Sequence, residues 1–151
     1  MNPNQPVPTS EPDASAKSVK SADPIIFFDG VCGLCNRSVD WIIRRDRHAI
    51  FRFAPFQGET ARERLGIDTG ADLNTIVLFD EHGQHRRSVA VVAILLRLGG
   101  FWRVCGALLW IVPRPIRNWG YTVIARNRYR WFGRHVTCRL PTPAERARFL
   151  P

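Results

Sequence analysis

The sequence predicts a single α/β domain in residues 24–151. A chain of 151 residues, of which 45% are apolar, is long enough to bury one hydrophobic core. Two segments with strand character are joined by a segment with helical periodicity, and two further strand-like segments are separated by a short turn. Residues 1–23 are rich in Pro, Ser, Asn and Lys, and we expect them to form a disordered tail without a secretory signal.

The first strand and the first helix are separated by a short turn that carries two thiols. Four consecutive apolar residues, 25–28, predict a buried strand, and residues 37–45 have helical periodicity. Cys32 and Cys35 lie between them at C-x-x-C spacing. Four side chains are spaced to share one helix face directed at the core: Cys35, Val39, Ile42 and Ile43. The stretch therefore predicts a strand, a turn and a helix.

Three more strands complete the predicted sheet. Residues 49–54 alternate in part between apolar and polar side chains, and residues 75–80 are rich in β-branched and aromatic side chains. Residues 85–87 are expected to return antiparallel after a turn at 81–84. Because a parallel pair of strands needs a crossover, the first helix would join the first two strands. This order predicts a thioredoxin-like sheet.

One feature of thioredoxin-like enzymes is absent from the sequence. Those enzymes carry a cis-proline just before the third strand, facing the disulfide, whereas this chain has Asn74 and Thr75 there. The sequence therefore does not support substrate docking by that route.

The remaining segments predict helices. A short surface helix is expected in residues 58–65, and two apolar segments follow the fourth strand in residues 89–98 and 101–112. Each is shorter than the roughly 20 apolar residues that a membrane span requires. We expect a hydrophobic helical hairpin that covers the sheet or touches a bilayer surface. A longer helix is predicted in residues 115–131, and residues 141–151 are expected to dock on the domain.

Cys32 and Cys35 are the candidates for redox catalysis. Cys32 would lie where the helix begins, beside unpaired N–H groups and the positive end of the helix dipole, which favour a thiolate. We predict that Cys32 is exposed and attacks a disulfide, while Cys35 is sheltered and resolves the mixed disulfide. Asp29, at the end of the first strand, is a third candidate. It could relay a proton to or from Cys35, or hold the turn by accepting N–H hydrogen bonds.

A zinc site is the alternative for the two thiols. It would need two further ligands, which Cys138, His135 or Cys105 could supply if the C-terminal segment folded over the turn. The chain has no second C-x-x-C, and Cys105 lies in an apolar helix where packing is its expected role. We therefore predict neither a metal nor a cofactor.

Residues 29–35 resemble the D-x-x-C-x-x-C signature of the DCC family, and the similarity extends over residues 24–150 through segments at 53–57 and 125–130 and through Cys138. The resemblance implies a thioredoxin-like fold and thiol-disulfide oxidoreductase activity on a protein or small-molecule disulfide, with an unidentified electron donor. Cys138 could be a third redox thiol or a packed small residue. Because we expect no secretory signal, we expect a reducing, cytoplasmic location, and this location predicts the reductase direction.

The charge of the chain is strongly one-sided. The net charge is +9, and no acidic residue occurs between Glu81 and Glu145. The arginines could be solvated, or could bind an anionic membrane surface in a protein whose cysteines are structural. A nucleic acid is disfavoured because no known binding module surrounds them. An arginine such as Arg126 or Arg128 could instead serve the active site, by pairing with Asp29 or by stabilising the thiolate.

Overall fold

The computed structural model describes residues 23–66, 75–134 and 141–151 of the protein. Several sequence-based predictions lie outside these ranges. They concern the tail over residues 1–22, the position of Asn74 before the third strand, and the side chains of His135 and Cys138.

Four strands form one mixed sheet, and it has the predicted thioredoxin-like order. The strands are β1 (Ile25–Phe28), β2 (Arg52–Pro55), β3 (Val77–Asp80) and β4 (Gly83–Arg86), and the sheet order is β2-β1-β3-β4. β1 pairs parallel with β2 and antiparallel with β3, and β3 pairs antiparallel with β4. The α/β fold class predicted from the sequence is therefore confirmed.

The starts of three strands differ from the prediction. β3 begins at Val77 rather than at Thr75. β4 begins at Gly83 rather than at His85, because Asp80 pairs directly with Gly83 and leaves a two-residue turn. Gly83 has φ +103°, a value that glycine tolerates and other residues rarely adopt. β2 begins at Arg52 rather than at Ala49, whose φ of +50° is not that of a strand.

The described part of the chain also contains five α-helices. They are α1 (Gly33–Arg45), α2 (Glu59–Leu65), α3 (Ser88–Leu98), α4 (Gly100–Ile111) and α5 (Arg114–Phe132). A short 3-10 helix, Arg146–Arg148, precedes the C-terminal residues. The three C-terminal α-helices are the predicted additions to the thioredoxin-like sheet, and the separate helices α3 and α4 match the two predicted apolar segments.

The core lies on both faces of β1. All four residues of β1 are buried, and they alternate between two clusters, as strand side chains do. Ile26 and Phe28 pack in the cluster that includes residues of α1 and α3, whereas Ile25 and Phe27 pack in the cluster that includes Ala61 of α2. This double burial fixes β1 and therefore the position of the turn that follows it.

The C-terminal residues dock on the sheet, as predicted. The rings of Phe149 and Phe53 stack with their centroids 5.5 Å apart, and the Leu150 N–H donates a 2.8 Å hydrogen bond to the Phe53 carbonyl.

Helices α3 and α4 pack closely through Gly106. A methyl group at Gly106 would lie 3.0 Å from Leu95 Cβ, so only glycine allows this approach without a shift. Within the described ranges, none of the helices combines the length and the hydrophobicity that crossing a membrane requires.

Candidate active site

The C-x-x-C motif lies where β1 ends and α1 begins, as the sequence predicts. Cys32 is the extended residue immediately before α1, and its carbonyl accepts a 3.0 Å hydrogen bond from the Asn36 N–H. The Cys32 N–H donates to the Asp29 carbonyl over 3.2 Å. Both motif thiols are free, and Cys35 lies within the first turn of the helix.

The predicted exposure of the two thiols is wrong. Cys32 is fully buried, with 0% exposure, whereas Cys35 is partly exposed. Residues that follow α5 cover Cys32: Arg134 pairs with it as an antiparallel β-bridge, and the Gly33 N–H donates a 3.3 Å hydrogen bond to the Gly133 carbonyl. Helical periodicity near Cys32 carries no information about a segment one hundred residues away.

The Cys35 thiol is held in its protonated form. Burial, followed by the charge of the neighbouring Cys32 and a hydrogen bond with it, raises the pKa of Cys35 to about 12. The guanidinium of Arg128 acts in the opposite direction, and its Nη1 lies 3.7 Å from Cys35 Sγ. At neutral pH, Cys35 is therefore a thiol with a positive charge beside it.

Asp29 is a buried carboxylate that accepts four hydrogen bonds from the described residues. The Val31 N–H and Gln57 Nε2 donate to Oδ1 over 3.1 and 3.0 Å. Arg128 Nη2 donates to Oδ2 over 3.2 Å, and the Tyr129 hydroxyl donates to the same oxygen. Two possible functions of Asp29 are predicted from the sequence, and the hydrogen bond from the Val31 N–H is the kind of contact that the second, holding the turn, requires.

Arg128 reaches this site, whereas Arg126 is exposed on α5. The side chains of Arg128 and Asp29 are each only 3% exposed, so their ion pair is shielded from solvent. Arg128 thus joins Asp29 to Cys35 across helices α1 and α5.

Two polar residues at the site were not assigned a function from the sequence. Gln57 follows β2, and its Oε1 also accepts the Gly30 N–H over 3.3 Å. Because β1 and β2 are parallel, their carboxyl ends meet at one edge of the sheet, and this topology could have identified Gln57. Tyr129 is different: burial and its hydrogen bond to Asp29 raise its pKa, but no local pattern indicates that contact.

The described residues do not form a metal site. Among them, no group of three or more His, Cys, Asp or Glu side chains is gathered closely enough to hold an ion. Cys105, one of the ligands considered for zinc, lies in α4.

A thioredoxin-like sheet with a C-x-x-C pair at the start of its first helix defines a protein of the thiol-disulfide oxidoreductase class. The family model described as DCC1-like thiol-disulfide oxidoreductase matches residues 26–134, and the chain belongs to this family. The DCC family resemblance noted in the sequence is thereby confirmed.

Two relatives support the assignment. The uncharacterized protein YuxK of Bacillus subtilis (strain 168) is 40% identical over 131 residues, which cover 84% of this chain and 93% of that protein. A chloroplastic DCC family protein of Arabidopsis thaliana is 33% identical over 119 residues, which cover 78% of this chain and 69% of that protein. No solved structure shows a significant match.

Proposed function

We propose that this protein reduces disulfides by thiol-disulfide exchange, with Cys32 as the attacking thiolate and Cys35 as the resolving thiol. The observation that carries the proposal is the asymmetry of the pair at the start of α1. Cys32 lies at the end of the helix where the dipole favours negative charge, whereas the environment of Cys35 holds that thiol protonated.

The exchange proceeds in two steps that transfer two electrons to the substrate. The Cys32 thiolate bonds to one sulfur of the substrate disulfide, the substrate S–S bond breaks, and the other sulfur leaves and takes up a proton. Cys35 then loses its proton and attacks Cys32 Sγ. The Cys32–Cys35 disulfide forms, and the second substrate sulfur leaves as a thiol. Cys32 must first be uncovered, since Arg134 lies across it in the described structure.

Asp29 and Arg128 support the second step by position and charge. As Cys35 deprotonates, its developing negative charge faces the Arg128 guanidinium, which lowers the energy of the thiolate. A carboxylate has about four lone-pair sites, and four donors occupy those of Asp29. We therefore assign to Asp29 the positioning of Arg128 and of the turn, rather than the relay of a proton.

The direction of transfer and the location belong to the proposal. In a reducing cytoplasm, the cysteine pair would be kept as the dithiol and would donate electrons to a protein or small-molecule disulfide. The reaction uses only the two thiols, and no cofactor or metal enters it.

Replacing Cys35 with serine is expected to trap mixed disulfides between Cys32 and substrates. A serine at position 35 cannot attack the intermediate, so the first step would occur and the second would not. Incubation with insulin whose disulfides are intact, followed by non-reducing electrophoresis and peptide mass mapping, measures the trapped species. Cys105→Ser, which alters a cysteine of α4, serves as the control and should trap nothing. A Cys35→Ser protein that accumulates no adduct at Cys32 would contradict the assignment of Cys32 as the attacking thiol and Cys35 as the resolving thiol.

A second candidate function is a basic module that binds a membrane surface and whose cysteines are structural. Helices α4 and α5 expose large apolar side chains, among them Phe101, Trp110 and Trp119, which are 69–71% exposed. Four exposed arginines lie on the same two helices: Arg103, Arg114, Arg126 and Arg130. Indole rings favour the interface between lipid and water, and each arginine would add about 1 kcal/mol near an anionic surface.

This candidate predicts salt-sensitive binding to anionic vesicles. The protein should co-sediment with phosphatidylglycerol vesicles at low salt, should be released at high salt, and should not bind phosphatidylcholine vesicles. Trp119→Ser should weaken the binding, whereas the joint variant Cys32→Ser and Cys35→Ser should retain it. Absence of binding to the anionic vesicles at low salt would eliminate this candidate.

A further inference from the structure

Helices α1, α3, α4 and α5 surround an apolar cavity of about 800 Å³. Its wall is mostly aliphatic and aromatic, and includes Leu34, Trp41, Leu95, Ile116 and Ile124. Ile116 and Ile124 are 60% and 48% exposed although they line the cavity, so the cavity opens at the surface of α5. A small apolar molecule can therefore enter it from outside.

Of the two motif cysteines, Cys35 lines this cavity and Cys32 is fully buried. Arg128, whose Nη1 lies 3.7 Å from Cys35 Sγ, is also part of the wall. The redox pair is thus approached from two sides. The side of Cys32 is closed by Arg134, whereas the side of Cys35 is open through an apolar passage.

We infer that the cavity admits the electron donor that regenerates the dithiol, and that this donor is a small apolar dithiol which attacks Cys35 of the oxidised pair. The inference rests on the proposed function, because it requires that Cys32 and Cys35 form a disulfide in each cycle. It adds the chemical class of the donor and its route of entry.

The regeneration step balances as a second thiol-disulfide exchange. A donor thiolate bonds to Cys35 Sγ, the Cys32–Cys35 bond breaks, and Cys32 leaves as a thiolate that is protonated afterwards. The second thiol of the donor then attacks the donor sulfur bound to Cys35. The donor leaves as a cyclic disulfide, and Cys35 recovers its proton. Two electrons and two protons pass from the donor to the pair.

Access favours attack at Cys35. Attack at Cys32 would have to reach a residue with no exposed surface, whereas Cys35 lines the open cavity. A dithiol is favoured over two monothiols because its second thiol is already present in the cavity. The closing step is then intramolecular and needs no second molecule to enter.

Gly120 offers a way to fill the cavity without disturbing its wall. Gly120 lines the cavity, and a Cβ built on it meets nothing within 4 Å. Gly120→Leu should therefore place a side chain in the open space. Ala107→Leu adds the same side chain to an exposed position of α4 and serves as the matched control.

The experiment measures reduction of the oxidised protein by two dithiols with the same cyclising chemistry. Dihydrolipoamide is uncharged and carries an apolar chain, whereas dithiothreitol is small and polar. We expect Gly120→Leu to lower the rate constant for dihydrolipoamide roughly tenfold relative to the rate constant for dithiothreitol. A poor fit in an apolar pocket has an effect of this size. Ala107→Leu should leave the ratio unchanged.

A competition in the unaltered protein gives a second readout that does not depend on folding of a variant. Octanamide has an apolar chain and no thiol, so an excess that fills the passage should slow the reduction of the oxidised protein by dihydrolipoamide. If octanamide does not slow this reduction, or if Gly120→Leu leaves the rate constant for dihydrolipoamide unchanged, the cavity is not the route of the donor. If Gly120→Leu lowers both rate constants equally, the cavity does not select an apolar donor. If Cys32 and Cys35 form no disulfide with any oxidant, the proposed function itself fails.

Discussion

Replacing Cys32 with serine is expected to reduce the rate of insulin-disulfide reduction to that measured without the protein. In the proposed reaction, the substrate disulfide is broken only by forming a bond with Cys32. A serine hydroxyl neither ionises at neutral pH nor forms a bond with sulfur that can be exchanged, so the first step cannot occur. The remaining thiol, Cys35, is a poor substitute, because burial, the largest cause of its raised pKa, persists in the variant and disfavours the thiolate.

The control for this prediction is Cys105→Ser. Cys105 is a free, partly buried cysteine of α4 and does not belong to the C-x-x-C motif. Its replacement should leave the rate of insulin reduction unchanged. A Cys32→Ser protein with full activity would contradict the redox assignment, and circular dichroism of both variants distinguishes lost chemistry from lost folding.

Replacing Arg128 with alanine is expected to destabilise the protein by about 3–5 kcal/mol. The change leaves the Asp29 carboxylate, 3% exposed, without the positive charge that compensates it. It also removes the hydrogen bonds from Arg128 to Tyr129 and Cys35. The free energy of unfolding in urea measures the loss. Arg130→Ala, an exposed arginine of the same helix, should change that free energy by no more than about 0.5 kcal/mol.

A double variant separates the buried charge from the loss of packing. Asp29→Asn removes the carboxylate charge, and Arg128→Met keeps much of the volume of the arginine side chain. If the uncompensated charge causes the instability, the double variant should be less destabilised than the sum of the two single variants. An additive result would instead assign the effect to packing and to the lost hydrogen bonds.

The features that the sequence predicts well are local in the chain. The apolar run Ile25–Phe28 identifies the central strand, and the spacing of Cys35, Val39 and Ile42 identifies the helix that follows it. Strand, helix and turn patterns in order are enough to predict the sheet. A crossover helix joins β1 to β2, and a tight hairpin joins β3 to β4.

The features that the sequence does not predict depend on contacts between distant residues. Arg128 was one of several arginines in a basic segment, and only the packing of α5 against α1 places it beside Asp29 and Cys35. The burial of Cys32 likewise depends on Arg134, one hundred and two residues later. Charge and periodicity describe each of these segments alone and do not say which of them meet.

The pairing of Arg134 with Cys32 has a kinetic consequence. Because Cys32 has no exposed surface, a reagent can reach it only after the segment at Gly133 and Arg134 separates locally from it. At low reagent concentration, the rate of modification should depend on how often the segment is open. At high concentration, the rate should reach a plateau equal to the opening rate, so strong and weak oxidants would then modify Cys32 at the same speed.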